Sequence, residues 1–142
     1  MAKPASVQEF VRAVPLFSNL LPSELDRVAY VMHPQDVGAG HVLCAEGDEG
    51  HEFYVIADGE AVVERGGHAV AKLSRGDYFG ELALLDQGPR SATVKAMTDM
   101  RLYVLNEQSF TAVLAEVPAL AQKLLAALAT RLREAEAHAD LQ

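Results

Sequence analysis

The sequence has no tryptophan and only one cysteine, Cys44. A single thiol excludes an internal disulfide and suits a reducing compartment, so we expect a cytoplasmic protein. Although half of the residues are hydrophobic, no run approaches the roughly 20 apolar residues of a membrane-spanning helix. Residues 1–6 lack the apolar core of a secretory signal. We therefore expect no membrane insertion by this chain.

Basic residues are also scarce. The sequence has 12 Lys and Arg against 20 Asp and Glu, which gives a net charge of −8. Direct binding to nucleic acid needs clustered positive charge, so this composition argues against it. The overall field also repels anionic ligands. Any anion site must therefore act locally, within the Debye length of about 8 Å.

Patterns typical of catalytic chemistry are missing as well. No spacing typical of metal ligands is found among the histidines, which are His33, His41, His51, His68 and His138. Residues 52–59 resemble the end of a cupin metal-binding motif, but residues 46–48, Glu-Gly-Asp, stand where that motif needs His-x-His. Cys44 lies in a strand-like segment and is interpreted as a small core residue. We predict no catalytic residue, no metal and no cofactor.

The length favours one domain, residues 1–142. Helical patterns occupy residues 1–34 and 106–139, and short, glycine-punctuated segments occupy residues 35–105. The predicted strands are 41–45, 52–57, 60–65, 68–73, 91–97 and 100–105. Asp58-Gly59 and Gly66-Gly67 predict tight hairpin turns. The pattern predicts an α+β fold, in which N-terminal helices and a long C-terminal helix flank an antiparallel, jelly-roll-like β-roll.

The helical segments have recognisable faces and ends. The apolar face of a first helix, residues 6–14, consists of Val7, Phe10, Val11 and Val14. A second helix is predicted from Ser23, with Asp26 as its capping-box-like partner, and it ends at Pro34. Its buried face consists of Leu25, Val28, Ala29 and Met32. Asn106 is a good N-cap for the next helix, and Pro118 suits the first turn of the last one.

The last helix, to about residue 139, carries an apolar seam with alternating spacings of four and three residues. The seam consists of Ala121, Leu125, Leu128, Leu132, Ala135 and Ala139. Such a seam is typical of a coiled coil, but it spans fewer than three heptads. Two interpretations stay open: the residues pack on the β-roll, or they form a homodimer through the C-terminal helix.

Residues 79–90 interrupt the strand pattern and have a distinctive chemistry. Residues 80–83 can present free backbone N–H groups at the start of a short helix, which is a suitable place for an anion. Arg90 adds a planar, permanently charged fork. Glu81 would repel a bare phosphate, so we interpret it as an acceptor for a hydroxyl group. The stretch therefore predicts a ligand that carries a phosphate beside a sugar hydroxyl.

The same stretch resembles the phosphate-binding cassette of the cyclic nucleotide-binding domain family. The resemblance lies in Gly-Glu-Leu-Ala-Leu-Leu and Pro-Arg-Ser-Ala-Thr-Val, within residues 79–96. Upstream, residues 47–50 (Gly-Asp-Glu-Gly), residues 53–56 (Phe-Tyr-Val-Ile) and Gly59 are similar to the family's β-roll signature. The resemblance covers about residues 10–138, and it implies the same β-roll fold with the cassette at residues 79–92.

The resemblance also implies roles for matching positions. Arg90 would pair with the exocyclic phosphate oxygens, and Glu81 would accept a hydrogen bond from the ribose 2′-hydroxyl. The phosphate shell would be completed by backbone N–H groups of Leu82, Ala83 and Ala92. Gly80 would let the chain approach the sugar.

Two regions would decide which base is bound. Family members that carry a serine at the position of Ser91 respond to either nucleotide. In the family the final helix caps the base, and here the lid would involve Arg131, Ala135 and Glu136. Activator-type relatives carry hydroxyl residues near Ala135 and Glu136, and this chain does not. The sequence slightly favours cyclic AMP over cyclic GMP.

The predicted function is a regulatory sensor that binds a cyclic nucleotide and transmits binding through its C-terminal helix. Three alternatives stay open. Glu81 and Arg90 could form a plain internal ion pair, or the chain could be an interaction module that has lost the ligand. It could also be the sensor part of a channel, kinase or transcription regulator, with an effector that the sequence does not identify. Only residues 140–142 follow the last helix, so we expect no helix-turn-helix and no DNA contact from the chain as given.

Overall fold

The computed structural model describes residues 6–140, apart from the side chain of Asp140. The helices are α1 (Val7–Ala13), α2 (Pro22–Tyr30), α3 (Glu81–Leu85), α4 (Glu107–Glu116) and α5 (Pro118–Asp140), with a 3₁₀ turn at Pro15–Phe17. The strands are β1 (His33–Val37), β2 (Val42–Cys44), β3 (Glu52–Asp58), β4 (Ala61–Arg65), β5 (His68–Leu73), β6 (Tyr78–Phe79), β7 (Thr93–Ala96) and β8 (Met100–Asn106).

The strands form two four-stranded antiparallel sheets. One has the order β1-β8-β3-β6 and the other has the order β2-β7-β4-β5. Successive side chains of a strand point to opposite faces, so the central strand β3 serves two cores. Tyr54 and Ile56 pack between the sheets. Phe53 and Val55 pack against the helices on the outer face of the first sheet. The predicted α+β fold with an antiparallel β-roll is confirmed.

The N-terminal part differs from the prediction in two places. The helix α2 begins at Pro22, and Glu24 accepts a hydrogen bond from the Leu21 N–H at 2.8 Å. The predicted Ser23–Asp26 capping pair was therefore wrong by two residues, because the observed pair is Leu21 and Glu24. Pro34 does not end the helix. It lies in β1, which is an edge strand, where the missing N–H of proline leaves no ladder bond broken inside the sheet.

The C-terminal part follows the predicted boundaries. Asn106 caps α4 by accepting a hydrogen bond from the Ser109 N–H at 2.8 Å. At the start of α5, Leu120 and Leu124 are buried in the helical core. Lys123 hydrogen-bonds the carbonyl oxygen of Pro15 at 3.0 Å, so this part of α5 is fixed to the 3₁₀ turn.

The second half of α5 leaves the core. Leu125 and Leu132 are 65% and 63% exposed, so neither is buried against the β-roll as the packing interpretation requires, although Leu132 faces the roll across a cavity. Within residues 6–140 no single helix is long and apolar enough to cross a membrane. The helices α4 and α5 meet that criterion only as a pair, with a bend of 106° between them.

Candidate ligand-binding site

A cavity of about 840 Å³ lies between α3, the β4–β5 hairpin and the second half of α5. The residues that the sequence predicted to bind the ligand all line it: Gly80, Glu81, Leu82, Ala83, Arg90, Ser91 and Ala92. Two of the three predicted lid residues, Arg131 and Ala135, line it as well. Glu136 does not belong to the lining, whereas Glu134 and His138 do.

Gly80 shapes the end of the cavity where α3 begins. It is the N-cap residue and has φ 97°, in the left-handed region that glycine adopts without strain. A Cβ at this position would lie 2.7 Å from the Glu52 carbonyl oxygen. The chain can therefore turn into α3 here only without a side chain. The N–H groups of the first turn of α3 have no acceptor within their own helix.

Arg90 places a buried positive charge beside this turn. Its side chain donates from Nη1 to the Gly80 carbonyl oxygen at 2.9 Å and from Nη2 to the Glu52 carbonyl oxygen at 2.8 Å. The residue is 7% exposed. No carboxylate of residues 6–140 forms a salt bridge with it. Because two bonds use only part of the five guanidinium donors, this buried cation can still bind an anion.

Gly50 makes room for the guanidinium, and the sequence analysis missed this role. A Cβ on Gly50 would lie 2.1 Å from Arg90 Nε and 2.4 Å from Cζ. The preceding turn also holds the backbone of Arg90, which donates to the Asp48 carbonyl oxygen at 2.7 Å and accepts from the Gly47 N–H at 2.9 Å. The available signal was the Gly-Asp-Glu-Gly segment, which had been assigned only to the β-roll.

Glu81 is buried beside Arg90 but pairs with a different arginine. Its Oε2 lies 2.9 Å from Nη1 of Arg131 on α5, and the exposed fractions of the two side chains are 5% and 50%. The alternative of an internal Glu81–Arg90 ion pair is therefore excluded. The pair joins the start of α3 to a helix that lies fifty residues further along the chain.

The face of α5 that lines the cavity follows helical spacing. Leu128, Arg131, Ala135 and His138 recur every three or four residues, and Leu132 and Glu134 lie beside them. Glu136 is exposed and lies outside the lining. A carboxylate is thus available at the lid, but two residues earlier than the sequence had placed it.

The opposite wall is apolar. It consists of Val63, Val70, Ala71 and Leu73 from the β4–β5 hairpin. Arg65 stands at its edge and donates from Nε to the Ser91 carbonyl oxygen at 3.2 Å. A flat apolar group can be held between this wall and α5. Only the position of the hairpin in the fold reveals it.

The end of the cavity where α3 begins, beside Arg90, is called the anion end below. Behind it, the Tyr54 and Phe79 rings stack with centroids 4.7 Å apart. The Arg90 guanidinium lies 6.0 Å from the Tyr54 ring centroid. Burial raises the pKa of Tyr54 above its ordinary range and raises the pKa of Cys44 to about 11. Both groups stay protonated near neutral pH, so neither adds negative charge near the anion end. Within residues 6–140 no group of three potential ligands converges as a metal site.

These features define a class of site: a cavity in a β-roll that holds a buried arginine and a buried glutamate and is lined by a C-terminal helix. Residues 34–117 match the family described as cyclic nucleotide-binding domain. The chain belongs to the cyclic nucleotide-binding domain family.

Two relatives extend this comparison. The chain is 36% identical over 116 residues to the cAMP-dependent protein kinase regulatory subunit of Hypocrea atroviridis, covering 82% of this chain and 25% of the relative. It is 35% identical over 136 residues to the cyclic AMP receptor protein of Thermus thermophilus, covering 92% of this chain and 63% of the relative. The chain thus spans about a quarter of the kinase regulatory subunit that it matches.

Solved structures agree with the fold. The Thermus thermophilus catabolite activator protein superposes with a TM-score of 0.83 at 36% identity, covering 89% of this chain and 62% of that one. A structure of Sp-2Cl-cAMPS bound to PKAR CBD2 gives a TM-score of 0.78 at 29% identity, covering 91% of this chain and 88% of that one.

Proposed function

We propose that this chain is a sensor domain that binds cyclic AMP in the cavity between α3 and α5. The observation that carries the proposal is the buried guanidinium of Arg90, which is held by two carbonyl oxygens. An uncompensated buried cation is costly unless it is paired, and the cyclic phosphate of a nucleotide supplies the missing charge. The apolar wall of the β4–β5 hairpin offers a surface for a purine.

The choice of cyclic AMP over cyclic GMP rests on the relatives, whose names refer to cyclic AMP. Glu134 can accept a hydrogen bond from the exocyclic amino group of either base, so it does not discriminate by itself. Calorimetric titration with both nucleotides tests this choice. Tighter binding of cyclic GMP would refute the preference, and the absence of heat with both would favour an interaction module that has lost its ligand.

Two variants test the assigned contacts. A hydrogen bond to a charged group contributes about 1.5–3 kcal/mol, so Arg90→Ala should weaken binding about 10- to 150-fold. An affinity within twofold of wild type would remove Arg90 from the site. Glu81→Ala should weaken binding less and should abolish discrimination against 2′-deoxy cyclic AMP. If the variant still prefers the 2′-hydroxyl ligand as strongly as wild type, Glu81 is not the acceptor.

Transmission would start at the same carboxylate. Glu81 is the residue that holds Arg131, so a ligand hydroxyl on Glu81 changes the partner of α5 directly. The second half of this helix is exposed and can change its position at little cost in core packing. Such a shift requires the ligand to prefer one position of the helix. Deleting residues 131–142 should weaken binding, and unchanged affinity would show that α5 does not cap the ligand.

We also propose that two copies pair through α5. Leu125 and Leu132 are seven residues apart, on one face, and both are largely exposed, which suits a short coiled-coil contact. Analytical ultracentrifugation of the wild type and of a Leu125→Glu variant tests this pairing, because Leu125 lies outside the cavity lining whereas Leu132 belongs to it. A monomeric wild type at micromolar concentration would refute it. The sensor is proposed to serve a larger regulator, whose effector the described residues do not identify.

A further inference from the structure

A hydrogen-bonded cluster on the far side of α3 has no part in the site described above. It contains Glu107, the first residue of α4, and two partners that come from different parts of the chain. Glu107 Oε2 accepts from Gln87 Nε2 at 3.2 Å, and Oε1 lies 3.2 Å from His51 Nδ1. The backbone N–H of Glu107 also donates to the His51 carbonyl oxygen at 2.8 Å. One side chain thus joins three segments.

The first of these segments is the C-terminal end of α3. Gln87 follows that helix with φ 57°, one of two positive values among the non-glycine residues of 6–140. Its amide also donates to the Leu84 carbonyl oxygen at 3.0 Å. Because Gln87 bonds both Leu84 and Glu107, the last turn of α3 is fastened to the start of α4.

The second segment is the turn that holds Arg90. His51 directly precedes Glu52, whose carbonyl oxygen accepts from the Arg90 guanidinium. A displacement of His51 therefore acts on that carbonyl through one peptide unit. The two halves of the anion end, α3 and the Arg90 support, are both tied to Glu107.

We propose that Glu107 is a positioning residue that holds α3 and the turn at residues 47–52 together, and that protonation of His51 tightens this hold. The imidazole is faced by Glu107 from α4 and by Glu49 from the preceding turn, at 3.4 Å. Within residues 6–140, these two carboxylates are the charged groups that face the imidazole. These two carboxylates raise the pKa of His51, Glu107 most strongly. The imidazolium is therefore favoured below that raised pKa, and its pair with Glu107 is lost as the pH rises through it.

The effect on ligand binding follows from preorganisation and rests on the proposed function. When α3 and Arg90 are held in place, the hydrogen-bond donors already face the cavity before the ligand arrives. Binding then costs less conformational entropy. Because His51 is 68% exposed, the pair is of the weak, screened kind. We expect cyclic AMP to bind about two- to fivefold more weakly at pH 8 than at pH 6, a factor that corresponds to the strength of such exposed ion pairs.

The test uses the full chain and the variants Glu107→Gln and His51→Gln. Glu116→Gln is the matched control, because Glu116 also lies on α4 and pairs with an arginine, Arg27, but at the other end of the helix. The first readout is amide hydrogen exchange of α3 in the nucleotide-free protein, corrected for intrinsic rates. We expect about two- to fivefold faster exchange in Glu107→Gln and no change in Glu116→Gln. In wild type the protection of α3 should fall from pH 6 to pH 8, and in His51→Gln this pH dependence should vanish.

The second readout is the dissociation constant of cyclic AMP at the same pH values. A flat wild-type profile between pH 6 and 8, or α3 exchange in Glu107→Gln equal to wild type, would overturn the inference. If the wild type binds no cyclic nucleotide, the proposed function fails, and the exchange measurement on the free protein still decides the role of Glu107.

Discussion

Replacing Gly50 with alanine places a methyl group inside the volume of the Arg90 side chain. The new Cβ would lie 2.1 Å from Nε, 2.4 Å from Cζ and 2.6 Å from Cδ. These atoms form the outer part of a flexible side chain. We therefore expect the guanidinium to move and the backbone to stay. The movement breaks the bonds from Arg90 to the Gly80 and Glu52 carbonyl oxygens.

The size of the effect follows from what the displaced group does. If Arg90 binds the phosphate by a charge-assisted hydrogen bond of about 1.5–3 kcal/mol, its displacement weakens binding about 10- to 150-fold. Isothermal titration with cyclic AMP measures this loss, and circular dichroism checks that the variant is folded. Alanine at position 50 should thus mimic the removal of a side chain forty residues away.

Two controls make the test sharp. Gly38→Ala adds the same methyl group where the nearest atom, Asp99 Oδ1, is 3.8 Å away, so it should bind like wild type. The double variant Gly50→Ala/Arg90→Ala should bind no more weakly than Arg90→Ala alone, because both substitutions remove the same interaction, the contact between Arg90 and the phosphate. Affinity of Gly50→Ala within twofold of wild type, or additive losses in the double variant, would refute the reasoning.

Three further predictions concern stability and reactivity. In Gly80→Ala the new Cβ would lie 2.7 Å from the Glu52 carbonyl oxygen at a φ of 97°. The backbone itself must then shift, so the free energy of unfolding should fall by about 1–3 kcal/mol in urea titrations; an unchanged midpoint would contradict this. The pKa of Tyr54 is raised in the folded state, so the folded protein keeps this proton above about pH 10, where the unfolded chain loses it. The free energy of unfolding should therefore fall above about pH 10. In thermal melts, Tyr54→Phe should lose less stability than wild type over this pH range. Cys44 lies in the cavity wall and its pKa is raised to about 11. Its thiol should therefore react slowly with an aromatic disulfide at pH 8, and the reaction should be slower still when cyclic AMP saturates the cavity. A rate like that of a free thiol would exclude this environment.

Much of the fold and of the anion end could be predicted because the signals are local. Gly80, Glu81 and Arg90 lie within eleven residues of one another, and the glycine itself marks the turn at which α3 begins. The apolar faces of α1 and α2 follow from a repeat of 3.6 residues, and the buried residues Phe10 and Val28 lie where this repeat places them. The edge strand β1 was missed because Pro34 reads as a helix end, and only its position at the sheet edge makes it acceptable.

The sequence by itself determined the glycine-punctuated β-roll, and it predicted a phosphate-type cradle with a nearby hydroxyl acceptor. The tertiary structure decided which groups complete it. Glu81 pairs with Arg131, fifty residues away, because the second half of α5 lies along the cavity that α3 also lines. Glu134 lines the cavity and Glu136 does not, since each residue turns a helix by about 100° and a register estimate with an error of two residues selects the wrong face. The room that Gly50 leaves for Arg90 likewise arises where two loop segments, forty residues apart in the chain, meet in space.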